Sequence, residues 1–315
     1  MRITILLAAL MLPLAITARA ADPAHVTIAV SVPTADHGWT GGVLYDAKQE
    51  AAVLERAYPG LTVIVKSSAS AADQASALED LSAGSRPDAL VVLPYDSAQL
   101  TGAVRRVKHN GTFIAVVDRG LTDPSIQDVY VAGNNTEFGA VAGKYFVQAL
   151  SGHGDVVVMR GIPTVVDTQR VDGFQHAIAG SGVKVLDMQF ANWSRDQGFR
   201  VMQDFLAKHP HIDAVWAADD DVAQGALRAI QQAKRNDIRF VVGGAGMKEV
   251  IKGVMDGNAM MPVDVSYAPA MVKTAMDLTA AHFMANAAVR GTLLLSTVLI
   301  TKDNAREYYD PNSPF

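Results

Sequence analysis

Short apolar, β-branched runs alternate with longer amphipathic stretches along most of the chain, the rhythm of βαβ units feeding a parallel sheet. In the first half, Val26–Val30, Leu61–Val65, Ala89–Leu93 and Phe113–Val117 are predicted strands, with helices over 40–57, 71–83 and 97–109 between them. The third and fourth runs are unbroken apolar segments, as expected of parallel strands covered on both faces. A second cycle begins at Val129–Ala132 and continues through strands Val156–Met159, Val183–Met188, Ala214–Ala217 and Phe240–Val242. Its predicted helices lie near 136–150, 167–180, 195–208 and 221–234. The remainder is less regular, with a strand over Met260–Val265, a long helix over 268–288 and a strand near Thr297–Ile300. The pattern predicts an α/β protein built from two doubly wound parallel-sheet lobes.

Residues 1–20 stand apart from this rhythm. Arg2 precedes an apolar stretch from Ile3 to Ile16, and Ala18-Arg19-Ala20 has the small–x–small form of a signal-peptidase site. The stretch is short for a membrane span, which needs roughly 20 apolar residues. A cleaved signal peptide and a periplasmic location are therefore expected. Punctuation at Arg119-Gly120-Leu121-Thr122-Asp123-Pro124 suggests a first lobe of 21–119 plus 265–288 and a second of 120–264 plus 289–315.

Charge and cysteine content narrow the function classes. Without residues 1–20 the chain keeps 25 basic against 32 acidic residues, a net charge of −7. Such a balance gives no electrostatic footprint for nucleic acid or for an anionic membrane face. Cysteine is absent, which removes thiol catalysis, Cys-based metal sites and disulfides. No nucleophile elbow or phosphate loop is visible; Gly243-Gly244-Ala245-Gly246 is too short a match to be more than a turn. His209-Pro210-His211 lacks further ligands, so neither a metal nor another cofactor is expected.

Ligands of parallel sheets bind where loops leave the carboxyl ends of the strands, and two facing sheets would gather these loops around one cleft. The loop after the first strand carries Asp36, His37 and Trp39; the third strand ends at Asp96 and the fourth at Asp118. Asp96 could bind hydroxyls, cap the helix that begins there, or do both. Asp118 with Arg119 could equally form a buried ion pair at a hinge. In the second half the candidates are Arg170, Trp193, the run Asp219-Asp220-Asp221, and Asp264 after an apolar run. Carboxylates accept from hydroxyls and indoles cover the CH face of a sugar ring, so a neutral sugar or polyol suits this set better than an anion.

The chain resembles the periplasmic sugar-binding proteins of the ribose-binding type, the receptors of bacterial ABC importers. The resemblance is most specific from Phe205 to Ile230, with support from Arg170–Phe174 and Pro87–Ser97. It implies the type I periplasmic-binding fold, two lobes joined by three hinge crossovers that close over one carbohydrate, and an inner-membrane ABC permease as partner of a monomeric receptor. It also implies roles: His37 as a polar contact, Trp39 and Trp193 as aromatic walls, Asp96 as the first-lobe carboxylate, Arg170 as the hydroxyl-binding arginine, and Asp219 as a polar contact. Asp118 falls near the first crossover. One departure stands out. Gly244-Ala245 replaces the aromatic–Asp pair frequent in the family, and the usual crossover Gln is missing, with Asp264-Val265 nearby. One stacking wall and one carboxylate are thus expected to be lost, which makes an acyclic alditol or a differently posed or larger sugar more attractive than a ribose-like ring. A receptor feeding a chemoreceptor or sensor kinase, and a carbohydrate-active enzyme, are the alternative functions.

Overall fold

The computed structural model describes residues 25–35, 38–84 and 86–315. The expected signal segment and the candidates Asp36 and His37 lie outside the described residues.

The chain runs β1 (Val26–Pro33), α1 (Gly38–Ala57), β2 (Leu61–Ser68), α2 (Ala71–Ala83), β3 (Ala89–Val92), α3 (Ser97–His109), β4 (Phe113–Val117) and β5 (Val129–Gly133). It continues through α4 (Asn135–Ala149), β6 (His153–Arg160), α5 (Val165–Ile178), β7 (Gly182–Phe190), α6 (Arg195–Lys208), β8 (Ala214–Ala217), α7 (Asp220–Ala233) and β9 (Phe240–Val242). The last elements are α8 (Lys248–Asp256), β10 (Asp264–Val265), α9 (Met271–Met284), β11 (Gly291–Leu295), β12 (Leu299–Ile300) and the single-turn α10 (Ala305–Tyr308). The apolar runs behave as parallel core strands should. Every residue of β3, β4 and β8 is buried, because helices cover both faces.

One sheet has the order β11-β5-β4-β3-β1-β2 and the other β7-β6-β8-β9, all pairs parallel. A two-stranded antiparallel ribbon joins β10 to β12. This order corrects the expected lobe boundaries. Residues 129–133 do not open the second sheet; β5 pairs with β4 in the first, through Ala115↔Val129 to Val117↔Val131. The punctuation near 119–124 is a helix-free connection holding only a 3-10 turn at Pro124–Ile126, so it marks no change of lobe. Likewise β11 pairs with β5 and belongs to the first lobe, although 289–315 was assigned to the second. The chain therefore crosses between lobes just after Gly133, between β10 and α9, and between β11 and β12. The apolar run at 260–265 forms only the two-residue β10, and α8 occupies a stretch for which no helix was predicted.

Helix pairs set the second lobe's geometry. A Cβ added at Gly139 of α4 would stand 1.8 Å from the Arg170 carbonyl of α5, and one at Gly173 would stand 2.1 Å from the Thr136 carbonyl. Only glycine permits backbones to approach this closely, and the approach fixes where α5 delivers Arg170.

Candidate functional site

Five of the candidates meet in one cavity between the lobes. Trp39, Asp118, Arg170, Trp193 and Asp219 line it, together with Tyr267 from the crossover that follows β10.

Each is held by its own local structure. Trp39 sits in the first turn of α1, and its indole Nε1 donates to the Tyr267 carbonyl at 2.8 Å. Asp118 follows β4 with φ at +56°, a left-handed conformation that turns its side chain out of the strand's path. The turn is pinned by the Tyr130 hydroxyl, which donates to the Asp118 carbonyl at 2.6 Å. Trp193 lies in the turn after β7, where Asn192 and Trp193 are both left-handed (φ +51° and +53°). Asp219 caps α7 by accepting from the amides of Asp221 (2.8 Å) and Val222 (3.3 Å).

Arg170 is the organising cation. It is 96% buried, at 4% relative exposure. Its Nε donates to Asn135 Oδ1 at 2.9 Å and its Nη1 to the Ala218 carbonyl at 2.7 Å, while the guanidinium lies 4.1 Å from the Phe138 ring and 4.3 Å from the Tyr267 ring. Asn135 Nδ2 donates to the Tyr267 hydroxyl at 3.2 Å, and that hydroxyl donates to Asp118 Oδ1 at 2.5 Å. A hydrogen-bonded chain, Arg170–Asn135–Tyr267–Asp118, thus runs from the second lobe through two crossovers to the first. Burial, then the Asp118 charge, pushes the Tyr267 phenol well above its ordinary range, so it stays a donor.

Asn135, Phe138 and Tyr267 were not among the sequence candidates. The missing aromatic wall at Gly244 is compensated in an unexpected way. A Cβ at Gly244 would stand 2.1 Å from the Phe138 ring, so Phe138 fills the space a larger residue there would need. Tyr267 supplies a third aromatic to the cavity, three residues beyond Asp264 where the family's Gln was sought. Asn135, the polar residue next but one after β5, had the strand-end position that marked the other candidates.

The remaining candidates serve elsewhere. Asp96 caps α3 by accepting from the Gln99 amide at 2.8 Å, and it does not line the cavity. Asp220 and Asp264 are fully buried behind the cavity and hold the loop after β9. Asp220 accepts from the amides of Gly244 and Met247, both at 2.8 Å, and Asp264 accepts from Gly246 at 3.1 Å. His209 faces Asp187 whereas His211 faces Asp213 and Asp237, so the two imidazoles are not directed to one point.

Burial dominates the titration of these carboxyls. It pushes Asp219 well up, helped by the neighbouring Asp221 and Asp220 charges. It raises Asp220 to about 6, and it raises Asp264 well above the ordinary carboxylate range with help from Asp220. Asp264 Oδ1 has no donor of its own, and two carboxylate oxygens can bond only through a proton. A proton held between this pair would supply the missing donor. Because the folded-state values are raised, the folded form binds more protons than the unfolded chain, and stability falls as pH rises from about 4 through about 6. Asp264→Asn keeps an acceptor for Gly246 and presents a permanent donor to Asp220. It should therefore match or exceed wild-type stability at pH 7.5 by thermal melting, with the difference shrinking toward pH 5. A large loss of stability at pH 7.5 would contradict the shared proton.

Two carboxyl groups, the guanidinium groups of Arg119 and Arg170 and three aromatics converge here from both lobes, a lining that can hydrogen-bond and stack on a hydroxyl-rich guest. Comparison with known proteins agrees with the architecture. The ribose import binding protein RbsB of Escherichia coli is 34% identical over 170 residues, which cover 54% of this chain and 57% of that protein. The match thus spans little more than half of that relative's length. The RbsB protein of Haemophilus influenzae is 28% identical over 272 residues, covering 86% of this chain and 89% of its own. Among solved structures, an ABC transporter solute-binding protein from Bacillus halodurans with bound myo-inositol superposes with a TM-score of 0.81 at 23% identity, covering 91% of this chain and 98% of that one. The periplasmic binding protein domain matches residues 28–287, and the chain belongs to that family.

Proposed function

We propose that the protein is a periplasmic solute-binding receptor that captures a neutral sugar or sugar alcohol by hinge closure and hands it to an ABC permease. The observation that carries this reading is the cavity between the lobes to which the first lobe gives Trp39 and Asp118, the second gives Arg170, Trp193 and Asp219, and a crossover gives Tyr267. Contacts from both sides favour the closed arrangement by differential binding, which is all that a capture-and-release cycle requires. Two relatives named as ribose import binding proteins support the substrate class and the importer partner. In this reading the ligand is released unchanged.

The test is a thermal-shift screen against pentoses, hexoses and alditols, with sugar acids and amines as controls, followed by calorimetry. A neutral ligand at 100 times its Kd should stabilise the protein by about 2.7 kcal/mol. Trp39→Ala should weaken that ligand about 100-fold, the order of effect seen when a central aromatic anchor is removed. Selective binding of acids or amines, or product formation from a bound carbohydrate, would defeat the reading.

A further inference from the structure

The segment after α10 reaches from one lobe to the other. It starts fixed to the second lobe: Ile251 and Val254 of α8, Ile300 of β12 and Ala305 of α10 form a buried cluster, and Tyr309 packs against it. Further along, Lys248 of α8 donates from Nζ to the Ser313 carbonyl at 2.5 Å. Two local bonds shape the strap. Asp310 Oδ1 accepts from the Asn312 amide at 2.8 Å, and Ser313 Oγ accepts from the Phe315 amide at 3.1 Å. Pro311, Asn312 and Pro314 are exposed, yet Phe315 is only 3% exposed. Ordering an exposed segment costs conformational entropy, which burial of this ring, together with the Lys248 bond, offsets.

The ring lies on the first lobe. A Cβ at Gly38 would stand 2.8 Å from the Phe315 ring, and one at Gly42 would stand 3.1 Å from Phe315 Cβ. Four residues apart on α1, these glycines share a face, and their missing side chains leave the notch that receives the ring. Within it the Gly38 amide donates to Asp221 Oδ2 of α7 at 3.0 Å. The ring therefore borders a direct bond between α1 and the second lobe, beside Trp39, which lines the ligand cavity. Apolar cover of this kind keeps water from competing for the bond. Phe315 also lines two cavities between the lobes, of about 270 and 190 Å³. A ring leaving the notch thus has room, and the lobes can part without disrupting a close-packed core.

We propose that Phe315 is an interlobe latch and a positioning residue of the ligand cavity. Carried on a strap fixed to the second lobe, it holds the first turn of α1, and with it Trp39, beside Asp221. Parting of the lobes draws the ring out of the Gly38–Gly42 notch, and its return restores the Trp39 wall. The latch does not depend on which solute the cavity takes, although its part in capture rests on the receptor reading.

Two measurements on Phe315→Ala, both made without a solute, test this. Backbone hydrogen exchange over residues 38–42 should quicken about tenfold or more, the scale of losing one buried aromatic side chain, while β4 keeps its wild-type protection. The chain has no cysteine, so Ser76→Cys on α2 and Gln203→Cys on α6, both exposed positions, take one spin label per lobe. Their distance distribution should gain weight in a second population. Phe315→Leu, which keeps an apolar side chain, should restore most of the wild-type behaviour in both measurements. Unchanged exchange over 38–42 would overturn the proposal, as would an equal quickening in β4, the mark of a residue that merely stabilises the fold. An unaltered distance distribution would overturn it too. Such a failure strikes the latch alone and leaves the sugar-receptor reading to its own screen.

Discussion

Arg170→Ala is expected to abolish measurable sugar binding and to destabilise the fold at the same time. The side chain serves the ligand cavity, but it also satisfies Asn135 Oδ1 and the Ala218 carbonyl and stacks on Phe138 and Tyr267. Two hydrogen bonds from a charged donor, at about 1.5–3 kcal/mol each, put the stability loss near 3 kcal/mol or above. Affinity should fall by about 100-fold or more because Tyr267, and through it Asp118, loses its fixed orientation. Arg170→Lys should recover only a minor part, since an ammonium cannot reproduce the planar fork or the ring stacking. Calorimetry beside chemical denaturation separates the two effects. Wild-type affinity in a folded Arg170→Ala protein would remove the residue from the site.

A second large effect is expected far from any ligand contact. Gly139→Ala places a methyl 1.8 Å from the Arg170 carbonyl, against backbone rather than a movable side-chain tip. α4 and α5 must separate to relieve it, and overpacking of this kind costs about 3 kcal/mol or more. Because the displaced carbonyl belongs to Arg170 itself, sugar affinity should fall with stability. An alanine variant with unaltered melting temperature and affinity would show that the helix pair yields more easily than its packing suggests.

The secondary structure was largely legible, the pairing of strands less so. Helices over 71–83 and 97–109 coincide with α2 and α3, and the helix over 195–208 with α6, because their apolar spacing and capping Ser70, Asp96 and Ser194 are local properties. Which sheet receives β5 is not local. Val129–Gly133 would read the same in either lobe, and only its partners in β4 and β11 decide. β11 was not predicted: only the stretch near Thr297–Ile300, which holds β12, was read as a strand.

Residue type and strand-end position nominated Trp39, Asp118, Trp193 and Asp219, and Arg170 was nominated from within a predicted helix; all five line the cavity. The same signal also nominated Asp96 and Asp220. In sequence these carboxylates look alike; which of them face a cavity and which cap a helix or clasp a loop depends on a rotation of the backbone that composition does not encode. Tyr267 was missed because its crossover was searched for an amide. A phenol hydrogen-bonded to Asp118 and Asn135 occupies that crossover instead.

The Gly38 amide of α1 donates to Asp221 Oδ2 of α7 at 3.0 Å, a bond that joins the lobes directly. Arg195 holds the other oxygen of that carboxylate at 2.8 Å. Such a clasp gives the shut receptor some free energy of its own, so part of the work of closing is done before any solute arrives. A bond to a charged acceptor of about 1.5 kcal/mol would raise the shut fraction of unloaded receptor about tenfold. Affinity gained this way is not selective: it tightens every guest alike, and it sets how often a transporter would meet empty receptors in the shape of full ones.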